Sequence, residues 1–144
     1  PPLDYLLVPG GMGTRLEVDN IVLVDFVRTQ GARCRKVLSV CTGSFVLHRA
    51  GLLAGRRATT HWGSLPRLRA LGDVQVVEER YVFDGDLWSS AGVSAGIDMT
   101  LPFIAAEAGE AVAMKVQAGA EFFPDGRRYG RFGDDPRAPA YLRP

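Results

Sequence analysis

The chain has 144 residues, with 17 Lys and Arg against 16 Asp and Glu and a net charge of +1. This balance argues against a nucleic-acid-binding surface, which needs clustered Lys and Arg. No apolar run approaches the roughly 18 residues that a membrane span needs. The two cysteines do not indicate a disulfide framework. We therefore expect one cytoplasmic domain over residues 1–144 that contacts neither nucleic acid nor membrane.

The predicted elements alternate between short apolar strands and helices. Strands are predicted at residues 3–8, 36–40, 57–60, 74–77, 81–83 and 87–90. Helices are predicted from a cap at Asp19 to Gly31, at 42–50, from a cap at Ser64 to Gly72, at 97–108 and at 110–122, followed by an extended tail over 124–144. Residues 3–8 (LDYLLV) form a nearly continuous apolar run, which is typical of a strand buried on both faces.

This alternation predicts a mostly parallel sheet covered by helices on both faces. The Asp84-Gly85 pair between the last two strands adds one antiparallel hairpin. In such sheets ligands bind beyond the carboxyl ends of the strands. The first three strands end near Gly10-Gly11, Cys41-Thr42 and His61, and we expect these loops to open on one side.

Cys41 follows an apolar strand directly and is followed at once by Thr42, Gly43 and a predicted helix. This pattern is typical of a nucleophile elbow, a sharp turn that exposes a reactive side chain. The positive end of the helix favours the thiolate, which is the nucleophilic form. A buried and inert core cysteine is the alternative that the local sequence leaves open. Cys34 lies between two arginines without such a pattern, and we expect no catalytic role for it.

Gly10, Gly11 and His61 are the other candidate site residues of these loops. Glycine backbone approaches a ligand closely, and successive N–H groups bind negative charge. We expect Gly10 to contact the substrate and Gly11 to donate to it, although a plain strand-ending turn also explains the pair. His61 is a candidate to orient the thiolate or to carry a proton, and a half-buried histidine bonded to backbone is the alternative. His48 is expected at the surface.

Several function classes lack their motifs. The two histidines and two cysteines do not have the spacing of a metal site. Neither a phosphate-binding GxxxxGK[ST] nor a dinucleotide-binding GxGxxG is present. A glutamine amidotransferase needs a histidine late in the chain, and none follows His61.

Four segments, in this order, resemble the ThiJ/PfpI superfamily (class I glutamine-amidotransferase-like), and within it the isonitrile hydratase branch. They are VPGG at 8–11, SVCTG at 39–43, AGLLAGRRATTHW at 50–62 and SSAGVSAGID at 89–98. The resemblance implies a flavodoxin-like three-layer sandwich and a homodimer. It also implies chemistry on a small-molecule substrate without a metal or organic cofactor.

The resemblance also implies roles for individual residues. Cys41 would be the nucleophile, with the backbone N–H groups of Gly11 and Thr42 as oxyanion donors. Thr42 would hydrogen-bond the substrate, and His61 would lie near the thiolate. Two residues would line the substrate pocket, namely Gly92 and Val93. In the hydratase branch the thiolate attacks the terminal carbon of an isonitrile, and water releases an N-formamide from the resulting thioimidate.

Two departures from the family pattern stand out. Protease-like members carry a histidine directly after the cysteine, and Thr42 at this position weakens a Cys-His protease interpretation. Family members also place an acidic residue from an upstream strand against the cysteine as general acid or base. Glu17 and Asp19 follow the Gly-Gly turn, which is the wrong place. Either the upstream half-domain is missing from this sequence, or the protein has lost a catalytic part. We expect the first, because a protein without that central strand would expose a long sheet edge.

Other functions stay open at this point. The sensory domains of AraC-type transcription regulators carry the same Ala-Gly-Leu-Leu and Thr-Thr-His-Trp stretches. Their DNA-binding domain follows at the carboxyl end, and the Pro-rich stretch up to Pro144 favours the stand-alone enzyme unless the sequence is cut at both ends. A glyoxalase- or deglycase-like stress protein would use Cys41 and His61 on a carbonyl carbon. A low-pKa thiolate also oxidises readily, which makes a redox sensor a further alternative.

Overall fold

The computed structural model describes residues 2–124 and 135–143. Its strands are Tyr5–Val8 (β1), Lys36–Val40 (β2), Arg57–Ala58 (β3), Gln75–Val76 (β4), Tyr81–Asp84 (β5) and Leu87–Ser90 (β6). Its α-helices are Thr14–Glu17 (α1), Ile21–Gly31 (α2), Gly43–Arg49 (α3), Leu65–Arg69 (α4), Ala95–Ala108 (α5) and Glu110–Gly119 (α6). Short 3₁₀ turns lie at Trp62–Ser64 and Ala140–Leu142.

The central sheet has the order β1-β2-β6-β5. β2 pairs in parallel with β1 and β6, and β5 pairs antiparallel with β6. The mostly parallel sheet and its hairpin confirm the predicted fold class. Buried aliphatic side chains of β1, β2, α2 and α3 form a core on one face, and Leu38, Trp88 and Met99 form a core on the other. The carboxyl end of β2, which leads into Cys41, therefore lies in the middle of the sheet.

The prediction that the first strand is buried on both faces was wrong for the described residues. Leu6 and Val8 are buried, whereas Tyr5 is 38% and Leu7 46% exposed. β1 pairs only with β2 in this sheet, and its covered face lies against α2 and α3. An apolar run indicates how many faces a strand has available for burial, and the neighbouring elements decide which faces are covered.

The third predicted strand, residues 57–60, starts at the predicted residue but is shorter than predicted and lies outside the central sheet. β3 covers Arg57–Ala58 and pairs with β4 in a separate two-stranded sheet. The next residues reach the central sheet through side chains, because the Thr59 N–H donates to Ser89 Oγ at 3.0 Å. Thr60 donates in turn to the Cys41 carbonyl. The loop that carries His61 is therefore anchored beside the elbow without belonging to the central sheet.

Smaller differences concern helix ends. Asn20, not Asp19, is the N-cap of α2, and its side chain accepts the Leu23 N–H at 3.2 Å. Ser64 stands at the N-cap position of α4 without a side-chain cap bond. α6 ends at Gly119 rather than at residue 122. Of the predicted tail, residues 125–134 lie outside the described residues. No helix within 2–124 and 135–143 has the length and apolarity to cross a membrane.

Asp84→Asn is expected to make the free energy of unfolding less dependent on pH in acid. Asp84 Oδ2 accepts the Arg57 N–H at 3.1 Å and Arg56 Nε at 3.0 Å. These two donors hold the pKa of Asp84 below its usual 3.8. A carboxylate with a lowered folded pKa stabilises the fold above its unfolded pKa, and this contribution disappears as pH falls through the folded value.

Urea unfolding between about pH 6 and pH 3 measures this effect, because the shift acts below the unfolded pKa of about 4. The wild type should lose stability more steeply than Asp84→Asn below that pH. Asp25→Asn is the control, since Asp25 is an exposed carboxylate paired only with Arg28 one helical turn away. Parallel curves for the wild type and Asp84→Asn would contradict the prediction.

Candidate active site

Cys41 stands in the left-handed region of backbone conformation, with φ 57°. β-carbon-bearing residues adopt this conformation rarely, and its strain clusters at functional sites. The turn lies between the end of β2 at Val40 and the start of α3 at Gly43. The Cys41 N–H points to the end of β6, with Ser90 O at 3.1 Å and Ala91 O at 2.9 Å. The structure thus has the geometry of the predicted elbow.

Buried hydroxyl groups hold the elbow from the other side. The Cys41 carbonyl accepts Thr60 Oγ1 at 2.9 Å and Ser44 Oγ at 3.3 Å. Both hydroxyl-bearing residues are fully buried. The strained peptide is therefore fixed by bonds at its N–H and at its carbonyl. The sequence analysis did not select Thr60, and its position directly before His61 was the available signal.

Two glycines let the end of β1 lie against this turn. A Cβ on Gly10 would stand 2.6 Å from Thr42 N and 2.7 Å from Cys41 Cβ. A Cβ on Gly43 would stand 2.1 Å from the carbonyl oxygen of Val8. Both contacts are far shorter than atoms tolerate, so glycine is required at each position. The predicted contact between Gly10 and substrate stays a prediction, and the structure adds that Gly10 fits the elbow itself.

Gly11 and Thr42 are joined directly. The Gly11 N–H donates to Thr42 Oγ1 at 3.0 Å, which places Thr42 between the first strand and α3. Thr14 Oγ1 lies 2.9 Å from the same oxygen. The oxyanion-donor roles of Gly11 and Thr42 stay predictions. For Gly11 this role requires its N–H to break the hydrogen bond to Thr42 Oγ1 and to donate to a substrate atom instead.

His61 is half-buried, and its Nδ1 accepts the Gly63 N–H at 3.2 Å. A neutral ring that accepts at Nδ1 carries its proton on Nε2. The other edge of the ring faces Gly92, where a Cβ would meet His61 Cδ2 at 3.4 Å. The bond at Nδ1 agrees with the alternative of a histidine bonded to backbone, whereas the Cδ2–Nε2 edge faces the predicted pocket loop. A catalytic role for His61 stays a prediction.

His48 differs from the surface position predicted for it. Its side chain is 25% exposed and its Nε2 lies 2.8 Å from Asp73 Oδ1. This contact links α3 to the segment before β4, so the His48 side chain is directed to Asp73 rather than to the elbow.

The loop after β6 carries the other two predicted pocket residues, Gly92 and Val93. An ion pair between Arg80 and Asp98 crosses its base, and Arg80 Nη2 donates to Ser94 Oγ at 3.1 Å. Val93 is 82% exposed and lines an apolar cavity of about 310 Å³ between α5 and α6. The sequence analysis did not select Arg80 or Asp98. A substrate contact of Gly92 or Val93 stays a prediction.

The second thiol has a different environment. Cys34 is half-buried and packs against the core on the α2 side of the sheet. Burial, with a smaller effect of Asp4, raises the pKa of Cys34. Such a thiol is less reactive near neutral pH. In the described part of the chain, no three His, Cys, Asp or Glu side chains are grouped as metal ligands would be.

Thr60→Val is expected to lower the free energy of unfolding by about 1–2 kcal/mol, because a buried carbonyl loses its short hydrogen bond. The substitution keeps the shape of the fully buried side chain and removes the donor to the Cys41 carbonyl. Thr60→Ser keeps the hydroxyl and is the matched control. Chemical unfolding measures both. A loss in Thr60→Ser with none in Thr60→Val would show that the methyl group, and not the hydrogen bond, matters.

Known proteins resemble this chain over most of its length. A family model described as the DJ-1/PfpI family matches residues 2–106. Isonitrile hydratase of Pseudomonas putida is 44% identical over 124 residues, which are 86% of this chain and 54% of that protein. The HTH-type transcriptional regulator CdhR of Pseudomonas aeruginosa is 42% identical over 78% of this chain and 34% of its own length.

A solved structure agrees with these sequences. The crystal structure of a ThiJ/PfpI family protein from Pseudomonas syringae superposes with a TM-score of 0.84 at 34% identity. It covers 99% of this chain, and this chain covers 58% of it. The chain thus spans a little over half the length of the hydratase and of this structure. The fold, the ordered motifs and the family match agree that the chain belongs to the DJ-1/PfpI family.

Proposed function

We propose that Cys41 is the nucleophile of a cofactor-independent, isonitrile hydratase-like lyase, which adds water to an isonitrile and yields an N-formamide. The observation that carries this proposal is the left-handed turn at Cys41, directly after the central strand. The 44% identity to an isonitrile hydratase supports the choice of substrate class. We further propose that the protein acts as a cytoplasmic homodimer, as the family resemblance implies.

The reaction proceeds in two balanced steps. The Cys41 thiolate forms a C–S bond to the terminal carbon of the isonitrile, and this carbon takes a proton to give a thioimidate. Water then adds its hydroxyl to the carbon while the nitrogen gains a proton. The hydroxyl then loses its proton, which restores the one taken up in the first step, and a C=O bond forms as the C–S bond breaks. The thiolate leaves and the N-formamide is released. Covalent catalysis of this kind divides one difficult addition into two easier steps.

The residues around Cys41 place hydrogen-bonding groups beside the thiolate for these steps. The end of β1 and the start of α3 bring the N–H of Gly11 and the hydroxyl of Thr42 to one side of the elbow. The Thr42 hydroxyl, held by the Gly11 N–H, is then a fixed donor that stabilises charge developing during attack. The Nδ1 of His61 accepts a backbone N–H, which leaves the Nε2 edge of the ring to contact the bound molecule.

The test is turnover of a simple alkyl isonitrile by the full-length protein, followed by formation of the N-formamide. The proposal expects formamide from the isonitrile and none from a nitrile of the same alkyl group. Conversion of methylglyoxal with no formamide from the isonitrile would replace the hydratase by the glyoxalase-like alternative.

A second candidate is the ligand-sensing domain of an AraC-type transcription regulator. The 42% identity to the regulator CdhR favours it. The two candidates differ in catalysis, because a sensor binds its ligand without converting it. A wild-type protein that consumes neither an alkyl isonitrile nor methylglyoxal would favour the sensor.

A further inference from the structure

Two threonine hydroxyls and one glycine peptide form a small hydrogen-bonded group beside the elbow. The Gly11 N–H donates to Thr42 Oγ1 at 3.0 Å. Thr14 Oγ1 lies 2.7 Å from the Gly11 carbonyl oxygen and 2.9 Å from Thr42 Oγ1. Thr14 is the first residue of α1 and is only 6% exposed. The sequence motifs gave no role to this residue.

The protons of this group have more than one arrangement. The Gly11 carbonyl oxygen receives the Thr14 N–H at 3.2 Å and the Thr14 hydroxyl at 2.7 Å. The Thr42 hydroxyl is 3.2 Å from the same oxygen, outside the usual range for an O–H···O bond. The short acceptor for the Thr42 proton is therefore Thr14 Oγ1, as long as the Thr14 proton points to Gly11.

A rotation of the Thr14 hydroxyl changes this arrangement at little cost. When its proton turns to Thr42 Oγ1, both acceptor positions of that oxygen are filled, one by Gly11 and one by Thr14. Within the group only the long 3.2 Å contact to the Gly11 carbonyl oxygen is then left for the Thr42 proton, so an acceptor on a bound molecule at a shorter distance takes it. The Gly11 carbonyl keeps the Thr14 N–H, so no buried acceptor is left without a donor.

We propose that Thr14 is a positioning residue that directs the proton of the Thr42 hydroxyl to an electron-rich atom of a molecule bound to Cys41. In the empty site Thr14 Oγ1 accepts this proton, and in the loaded site the Thr14 hydroxyl donates to Thr42 Oγ1. The receiving atom carries developing negative charge, as the nitrogen of a thioimidate or the oxygen of an enolate does. The inference rests on the proposed function in placing Thr42 beside the substrate.

The first measurement is isonitrile hydration by Thr14→Val and Thr14→Ser, each in a Cys34→Ser background. Thr14→Val keeps the shape of the side chain without its hydroxyl, and kcat should fall about tenfold while KM changes less than about twofold. Thr14→Ser keeps the hydroxyl, and its kcat should stay within about threefold of the parent. Thermal unfolding of each variant confirms that the fold is intact.

The second measurement does not depend on hydratase activity. Acrylamide and iodoacetamide are amides of similar size that alkylate a thiolate in different ways. Addition to acrylamide moves charge onto the carbonyl oxygen, which a hydrogen-bond donor stabilises. Displacement of iodide from iodoacetamide moves no charge there. The ratio of the two rates at Cys41 therefore reports the donor, and differences in thiolate content cancel.

The rate ratio decides the inference. It should fall about fivefold in Thr14→Val and in Thr42→Val, and stay near the parent value in Thr14→Ser. An unchanged ratio in Thr14→Val or in Thr42→Val overturns the inference, even if the parent hydrates isonitriles. If the parent produces no formamide but the ratio falls in Thr14→Val and Thr42→Val, the proposed function is overturned and the role of Thr14 is supported.

Discussion

Cys41→Ala is expected to reduce kcat/KM for isonitrile hydration by at least about a thousandfold, because loss of a covalent nucleophile removes the reaction path itself. The expected product, N-formamide, is followed directly. Cys41 is the residue at which the central strand turns into α3, and an alanine there keeps the backbone while it removes the sulfur. Substrate binding by the remaining pocket should persist, so the loss should appear in kcat.

Cys34→Ala is the matched control, since Cys34 is a half-buried thiol that packs against the core on the α2 side of the sheet and has a raised pKa. It should keep activity within about twofold, as a substitution away from the reacting atoms. Cys41→Gly adds a test of the strain at φ 57°. It should be inactive and yet about 1 kcal/mol more stable than Cys41→Ala, because glycine adopts this conformation without a steric penalty. Formamide production by Cys41→Ala at the wild-type rate would end the nucleophile assignment.

Local patterns predicted the parts of the fold that depend on neighbours in sequence. The second strand was predicted at residues 36–40 and is found at Lys36–Val40. The Asp84-Gly85 pair predicted the hairpin of β5 and β6, which the structure confirms. For β2 the apolar run and the residues that end it suffice to place the strand. For the hairpin the short loop also decides the pairing partner. β1 and β3 depend on distant partners, and there the predicted burial and pairing were wrong.

The candidate site shows the same division. The elbow at Cys41 was predicted because strand, nucleophile and small residues are contiguous in the chain. Thr60 bonds the Cys41 carbonyl across 19 positions, and Thr14 bonds Thr42 across 28. A threonine carries no periodic or spacing signal for such a bond, since its hydroxyl serves turns, caps and cores alike. The packing of α1 on α3, and of the residues after β3 on the elbow, brings these hydroxyls to their partners.

The contact between β1 and the elbow also has a direct energetic test at Gly43. Gly43→Ala is expected to lower the free energy of unfolding by more than about 3 kcal/mol, because overpacking against rigid backbone exceeds the usual cost of an added methyl group. The new Cβ would stand 2.1 Å from the Val8 carbonyl oxygen and 2.9 Å from that of Pro9. Both are backbone atoms, so relief requires β1 to separate from α3.

Gly119→Ala is the control for Gly43→Ala, since Gly119 ends α6 and a Cβ there would meet no atom within 4 Å. This change should leave the protein as stable as the wild type or up to about 1 kcal/mol more stable, given the higher helix propensity of alanine. Urea unfolding of the two variants gives the difference. A loss below about 1 kcal/mol in Gly43→Ala would mean that β1 does not pack against the elbow.

Because the same contact places Gly10 and Gly11 beside Cys41, the surviving folded fraction of Gly43→Ala should also alkylate with acrylamide more slowly, relative to iodoacetamide, than the wild type.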